Sequence, residues 1–359
     1  MTTREARLAA EAWVRAEVAD RPDLVGAVLA GSTRTRTPDA PHPAGSDVDI
    51  FIFVEAEIPS DIHEPRGRFA PRKLAYRDVV LEPSFHDARR IADAGAVAGD
   101  MHLASILSQP VILLDPHGRL EALAASVAPE VLRRSRAHQR LEQALAAALP
   151  GEPYAGVPDA PGLGAPCWRN VAHAFAIMRC AMAVLVAGLV PPTTRRSFIV
   201  ARDVLRQSGQ EPLADELLRL LGSLGLSRSG VEALVEEAER TYDVAVAVRH
   251  TPVAMEWNAS RDARALEHAA VREMVDTGCH REAVFQLLLV RTVAQGIIEN
   301  DADDATRLSS RRGYKRLLRA LGLDGEGALE ARGREVRAFM PVLRTCCESL
   351  LAHAPGLVD

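Results

Sequence analysis

The stretch Asp47 to Val54, DVDIFIFV, limits the possible folds more than any other in the chain. Strand side chains alternate, so Val48, Ile50, Ile52 and Val54 fall on one face and Asp47, Asp49, Phe51 and Phe53 on the other. Beyond the two aspartates both faces are apolar, which marks a central strand covered on both sides. Other strand patterns lie near it in sequence. LVGAVLAGS (Leu24 to Ser32) ends in a Gly-Ser turn, DVVLEPSFHD (Asp78 to Asp87) is a further strand, and PVILLDPHG (Pro110 to Gly118) gives a short one ending in a turn signal. A helix over Thr3 to Ala19 precedes them, and Thr2 and Glu5 have the spacing of a capping box.

After Leu120 the strand signals stop. Helical patterns follow over Trp168–Gly188, Arg195–Gln207, Pro212–Leu221, Val231–Val248, Asp262–Thr277, Arg281–Asn300, Tyr314–Leu321 and Glu335–His353, with Ser229 a plausible cap before Val231 and Gly188 a plausible stop. Before them, Pro150 to Pro166 holds five prolines and four glycines in seventeen residues, so a loop or linker is expected there. Aromatics are only 4% of a chain that is 48% hydrophobic and rich in alanine, which also favours helix. The expected fold class is α+β: a small mixed-sheet domain over residues 1–120, then an all-helical domain over residues 121–359.

The two aspartates at the edge of this core repel each other. A divalent cation removes that cost, and Mg²⁺ favours carboxylate oxygen together with substrate phosphate and water. The bland alternative for SDVD is a solvated turn with strand-capping aspartates. Its context favours chemistry. Gly31-Ser32 ends the preceding strand, where a glycine lets backbone approach a phosphate and a serine adds a hydroxyl donor. Glu82 supplies a third acid on another apolar strand, Val79-Val80-Leu81-Glu82-Pro83. Asp78 rivals it, since both share a face; the closer apolar flanks favour Glu82. Three acids at one sheet edge beside such a turn describe a two-metal site.

In order and type these residues resemble the nucleotidyltransferase superfamily that includes DNA polymerase beta and the antibiotic nucleotidyltransferases. Ala30-Gly31-Ser32, a 14-residue spacer, Asp47-Val48-Asp49-Ile50 and then Glu82 follow its pattern. The spacer is somewhat long, with its excess in TPDAPHPA (Thr37 to Ala44). The match covers the first 120 residues or so, and the helical remainder is similar only in general character. The resemblance implies that Asp47 and Asp49 bind two Mg²⁺ ions, that Glu82 completes the site of the catalytic ion, and that Gly31 and Ser32 hold the β- and γ-phosphates of a nucleoside triphosphate. An acceptor hydroxyl would then attack the α-phosphorus and release pyrophosphate. ATP is the expected co-substrate only because it is the common donor; nothing in the sequence reads the base. A hydroxyl on a small molecule, an antibiotic or aminocyclitol by resemblance, is the leading acceptor, with the helical domain expected to shape its side of a cleft. A protein AMP-transferase and a non-catalytic nucleotide-binding module are the alternatives.

Secondary candidates surround these. Arg34 and Arg36 follow the turn and suit phosphate oxygens; otherwise they are ordinary loop arginines. Lys73 and Arg77 read first as a solvated edge. His86 is a weak base candidate, and no residue stands out as general base. The acidic run Glu299 to Asp304 could attract a cationic acceptor, but reads first as a solvated loop after a helix. Arg169 to His173 is one residue too short for an RNase motif, and Arg133 to His138 has the spacing only within an arginine-rich segment. No Cys/His set has zinc spacing.

A net charge of −5 argues against a dedicated duplex nucleic-acid binder or templated polymerase. The charged N-terminus lacks a signal-peptide core, and the most apolar segment, Cys180 to Val190, is too short to span a bilayer. Five cysteines without a CxxC pair suggest no disulfide framework. These features fit a cytoplasmic protein that does not engage membrane, and leave its oligomeric state open.

Overall fold

A computed structural model describes residues 1–56, 58, 72–149 and 164–359. Thr2 caps the first helix, α1 (Thr3–Glu17): its side chain accepts from the Glu5 N–H, and the Glu5 carboxylate accepts from the Thr2 N–H, as the spacing predicts. Ala6, Ala9, Ala10, Trp13 and Val14 form the buried stripe of that helix. Among the described residues five strands follow, β1 (Leu24–Leu29), β2 (Val48–Val54), β3 (Leu74–Tyr76), β4 (Val79–Asp87) and β5 (Val111–Leu114), in the sheet order β3-β4-β2-β1-β5. β2 and β4 are parallel and the other three pairings antiparallel.

β2 is the middle strand and is covered on both faces. Val48, Ile50, Ile52 and Val54 pack with the α1 stripe. Phe51 and Phe53 pack on the other side with residues of α2 (Ala94–Gly99), α3 (Leu103–Leu107) and α4 (Arg119–Val131), among them Val97, Leu107, Leu120 and Val127.

The observed strands are tighter than the sequence patterns, and one was missed. β1 stops at Leu29 and β5 at Leu114, where the chain turns. β3 forms a hairpin with β4 through Arg77 and Asp78, which have φ of 48° and 64°. Positive φ at both central residues is the type I′ turn that matches strand twist and normally takes Asn-Gly. With neither residue present, the sequence carried no hairpin signal.

Two compact units divide the chain: residues Met1–Arg140 with Pro355–Asp359, and Leu141–Ala354. The first therefore runs about twenty residues past the expected boundary at 120. Its extent has a packing reason. Leu120 and Val127 of α4 complete the second apolar layer. The Arg140 guanidinium, on α5 (Arg134–Ala148), donates to the carbonyls of Ala98 at 2.6 Å and Val131 at 2.9 Å. At the far end of the chain the Val358 N–H donates to Leu132 O at 2.9 Å, and Val358 O accepts from the Arg134 N–H at 2.7 Å.

The second unit is helical among its described residues: the end of α5, then α6 (Ala165–Ala187), α7 (Ser197–Gln207), α8 (Glu211–Leu221), α9 (Arg228–Val248), α10 (Arg264–Asp276), α11 (Val284–Asp301), α12 (Asp304–Ala320) and α13 (Ala328–Ala352). Every residue of α11 from Val284 to Ile298 is buried, so this helix is the axis of the unit. The Pro/Gly-rich stretch lies outside the described residues up to 163; from Ala165 it is already helix, with proline in the first turn where its missing N–H is harmless. Ser227 rather than Ser229 caps α9, accepting from the Gly230 N–H at 3.1 Å. α12 begins ten residues earlier than its apolar pattern, because Asp303 caps it by accepting from the Thr306 N–H.

Cys167–Ala187 is long and apolar enough to cross a membrane, a longer span than the apolar run alone shows. Within it, 83% of an apolar 18-residue window is buried inside the protein, as in a core helix. Among the described residues no other helix meets that test.

Candidate metal centre

The Gly31 turn and the aspartate strand are built as one piece. The Ala30 N–H donates to Asp49 O at 2.9 Å, and Thr33 Oγ1 donates to Asp47 O at 3.0 Å. Gly31 has φ 57°, and a Cβ there would lie 1.7 Å from Asp49 Oδ2. Only glycine tolerates both conditions. Arg7 of α1 fixes the turn from outside: its guanidinium donates to the carbonyls of Thr33, Arg34 and Arg36 at 2.6–3.1 Å.

Parallel pairing then sets the third acid. Asp49 on β2 is in register with Glu82 on β4. Asp47 precedes β2 by one residue, so Asp47, Asp49 and Glu82 converge, with a carboxylate oxygen from each within 4.8 Å of the others. Asp78 is four residues away in the exposed turn and takes no part in this cluster.

Lys73, just before β3, enters the same place. Its Nζ is 3.4 Å from Asp47 Oδ2 and 3.6 Å from Glu82 Oε2, and its side chain is only 3% exposed. The sequence reading as a solvated edge is therefore corrected for Lys73. It holds for Arg77, which is exposed and lies 5.3 Å over the Tyr76 ring.

Burial raises the Glu82 pKa, Lys73 opposes that, and Asp47 and Asp49 add to it, leaving Glu82 pushed up to about 8. Like charges 4–5 Å apart repel by about 3–4 kcal/mol per pair at an effective dielectric near 20. Three hard oxygen donors held at that spacing fit a Mg²⁺ or Mn²⁺ ion by chemistry and by charge.

The remaining candidates separate clearly. Ser32 is exposed in the turn. Arg34 donates to Gln109 O at 3.2 Å. Arg34 Nε and Arg36 Nε are buried without a hydrogen-bond partner among the described residues, and neither guanidinium has a carboxylate partner among them. Burial lowers the Arg34 pKa.

His86 is not poised as a base. Arg90 can only donate, so the 3.1 Å contact to His86 Nδ1 makes that nitrogen the acceptor and puts the proton on Nε2, facing Ser84 Oγ at 3.0 Å. Burial lowers its pKa to about 3. The ring is packed 4.2 Å from Phe51 and 5.7 Å from Phe53 between centroids.

The acidic run of the helical unit is consumed locally. Glu299 pairs with Arg311, Asp301 accepts from the His250 and Thr251 N–H groups, Asp303 caps α12, and Asp304 pairs with Arg307.

No protein-family model and no curated protein matches this chain.

Among residues that shape the site, Arg7 and Thr33 escaped the sequence reading. Both act on backbone carbonyls that only the folded loop presents, so no local pattern could reveal them.

Proposed function

We propose that the protein is a Mg²⁺-dependent nucleotidyltransferase that moves a nucleoside monophosphate, AMP from ATP, to a hydroxyl of a small molecule such as an antibiotic or aminocyclitol. The observation that carries this reading is the convergence of Asp47, Asp49 and Glu82 beside the Gly31 turn. A cluster that only capped a strand has no need of a third acid from a parallel neighbour, nor of a glycine shaped around one carboxylate.

In this reading Asp47, Asp49 and Glu82 make up the metal-binding cluster, where divalent metal would supply charge stabilisation for the attacking and leaving oxygens. Gly31 and Ser32 accommodate the triphosphate, and Arg34 and Arg36, cations with no carboxylate partner among the described residues, neutralise it. The acceptor hydroxyl releases its proton to solvent as its oxygen forms the new bond to the α-phosphorus, the bond from that phosphorus to the bridging oxygen breaks, and pyrophosphate carries away the electron pair. A cytoplasmic location suits an ATP-dependent reaction and unpaired cysteines.

The test is pyrophosphate release with each nucleoside triphosphate, Mg²⁺ and a panel of hydroxylated acceptors. Metal-dependent release, absent in Asp47→Asn and Glu82→Gln, supports the reading. Activity retained in either variant overturns it.

A further inference from the structure

The position of Lys73 bears on how many ions such a site takes, an inference that rests on the proposed function. Lys73 Nζ lies between Asp47 Oδ2 and Glu82 Oε2 at 3.4 and 3.6 Å, ion-pair distances to two of the three carboxylates at once. Its side chain is almost fully buried, so this ammonium is a fixed part of the cluster and not a solvated arm that happens to reach it. β3 delivers it: Leu74 pairs with Leu81, which places the residue before β3 beside the one after Leu81, namely Glu82.

The resemblance to the nucleotidyltransferase superfamily implies two ions, with Glu82 needed for only one of them. The oxygens that Lys73 contacts, one from Asp47 and one from Glu82, belong to that ion's expected set. An ammonium and a divalent cation do not share the same small volume: at equal distance and dielectric their mutual repulsion is twice the attraction of the ammonium for one carboxylate and equal to that of the divalent ion for one carboxylate. The charge count agrees. With all three carboxylates ionised the cluster carries three negative charges, Lys73 returns one, and a single divalent ion balances the remaining two. Lysine is also suited to the task, since its ammonium is a compact point charge of about the range a small cation commands.

We propose that this site holds one divalent cation, and that the buried Lys73 ammonium takes the place of the second. Lys73 is in this sense a positioning residue for the carboxylates. It holds Asp47 and Glu82 together without metal, and it assigns the incoming ion to the part of the cluster nearest Asp49.

The experiment counts ions. The full-length protein is titrated with Mn²⁺ in the presence of a saturating ATP analogue with a methylene bridge between the α- and β-phosphorus, and free Mn²⁺ is read by its paramagnetic resonance signal. The Asp47→Asn/Asp49→Asn variant supplies the background. The expected result is one Mn²⁺ per chain above background for the wild type, rising to two in Lys73→Met, whose side chain fills the space without a charge. Two ions in the wild type overturn the inference while leaving the proposed function in place. A count that stays at one in a folded Lys73→Met, checked by circular dichroism, also overturns it, because Lys73 then excludes nothing. No Mn²⁺ above background in the wild type overturns both the inference and the metal-dependent reading beneath it. The wild-type count alone decides the matter if Lys73→Met fails to fold.

Discussion

At the residue scale, the chemistry of the site is a competition between like charges and whatever neutralises them. Asp49→Asn removes one repelling partner and one metal ligand, so turnover is expected to vanish while melting temperature without metal stays level or rises; Asp47→Asn should also lose turnover, but it breaks the ion pair with the buried Lys73 and should lower the melting temperature. Pyrophosphate release and a thermal melt check both halves. Gly31→Ala is expected to act on the same centre from the other side. Its methyl group would occupy the space of Asp49 Oδ2, and left-handed backbone costs a non-glycine residue about 1–2 kcal/mol. Loss of Mn²⁺ affinity together with a small drop in melting temperature is the expected outcome; unchanged affinity would separate the turn from the metal centre. The pH dependence follows from Glu82. A carboxyl raised to about 8 by burial and its acidic neighbours binds its proton more tightly in the folded than in the unfolded chain. This group therefore favours folding at low pH, and its contribution is lost as pH rises from the ordinary carboxylate range towards 8. Melting temperatures from about pH 5 to pH 9 should fall less steeply in Glu82→Gln than in wild type. Added Mg²⁺ should stabilise wild type most at the alkaline end, where no proton has to leave before it binds.

At the element scale, the parallel pairing of β2 with β4 decides which acid joins the aspartates. Alternation along a single strand leaves Asp78 and Glu82 equivalent; register does not, because Asp49 stands opposite Glu82 and Asp78 falls in the turn. The turn itself offers a test that leaves the metal centre alone. Arg77→Asn with Asp78→Gly supplies the residues a type I′ turn prefers at the positive φ of both positions. A gain of about 1 kcal/mol in stability, with activity retained, is expected from relieving left-handed strain at two exposed residues. Loss of activity in a folded double variant would return Asp78 to contention. Glu82→Gln, in contrast, should be inactive. Much of this was legible beforehand: DVDIFIFV alone identified the central strand and the two acids. The β3–β4 hairpin was not, since its turn carries neither glycine nor asparagine, and Lys73 was misjudged because the missed strand is what carries it inward.

At the scale of the whole molecule, the chain's last five residues belong to its first unit. Two backbone hydrogen bonds between Val358 and the Leu132–Arg134 segment, with an Arg134–Asp359 ion pair at 3.3 Å, hold them there. Deleting residues 355–359 should cost about 1–2 kcal/mol, mostly from the backbone bonds, since the exposed ion pair contributes little. A melting temperature lower by several degrees would register it. No change would mean that the tail is held only loosely.

The sequence by itself determined the fold class, the central strand with both faces covered, the capping of α1, the helical character of the second unit and the pair of aspartates at the start of the central strand. These are properties of period, composition and residue type, which act over a few neighbouring residues. Tertiary structure alone decided that Glu82 and not Asp78 completes the cluster and that Lys73 lies inside it. It likewise decided that Arg7 holds the turn, that His86 is spent on packing and hydrogen bonding, and that the first unit extends to Arg140 and reclaims the C-terminus. Each of these depends on register between strands, or on contacts between residues far apart in the chain. Local pattern carries no information about either.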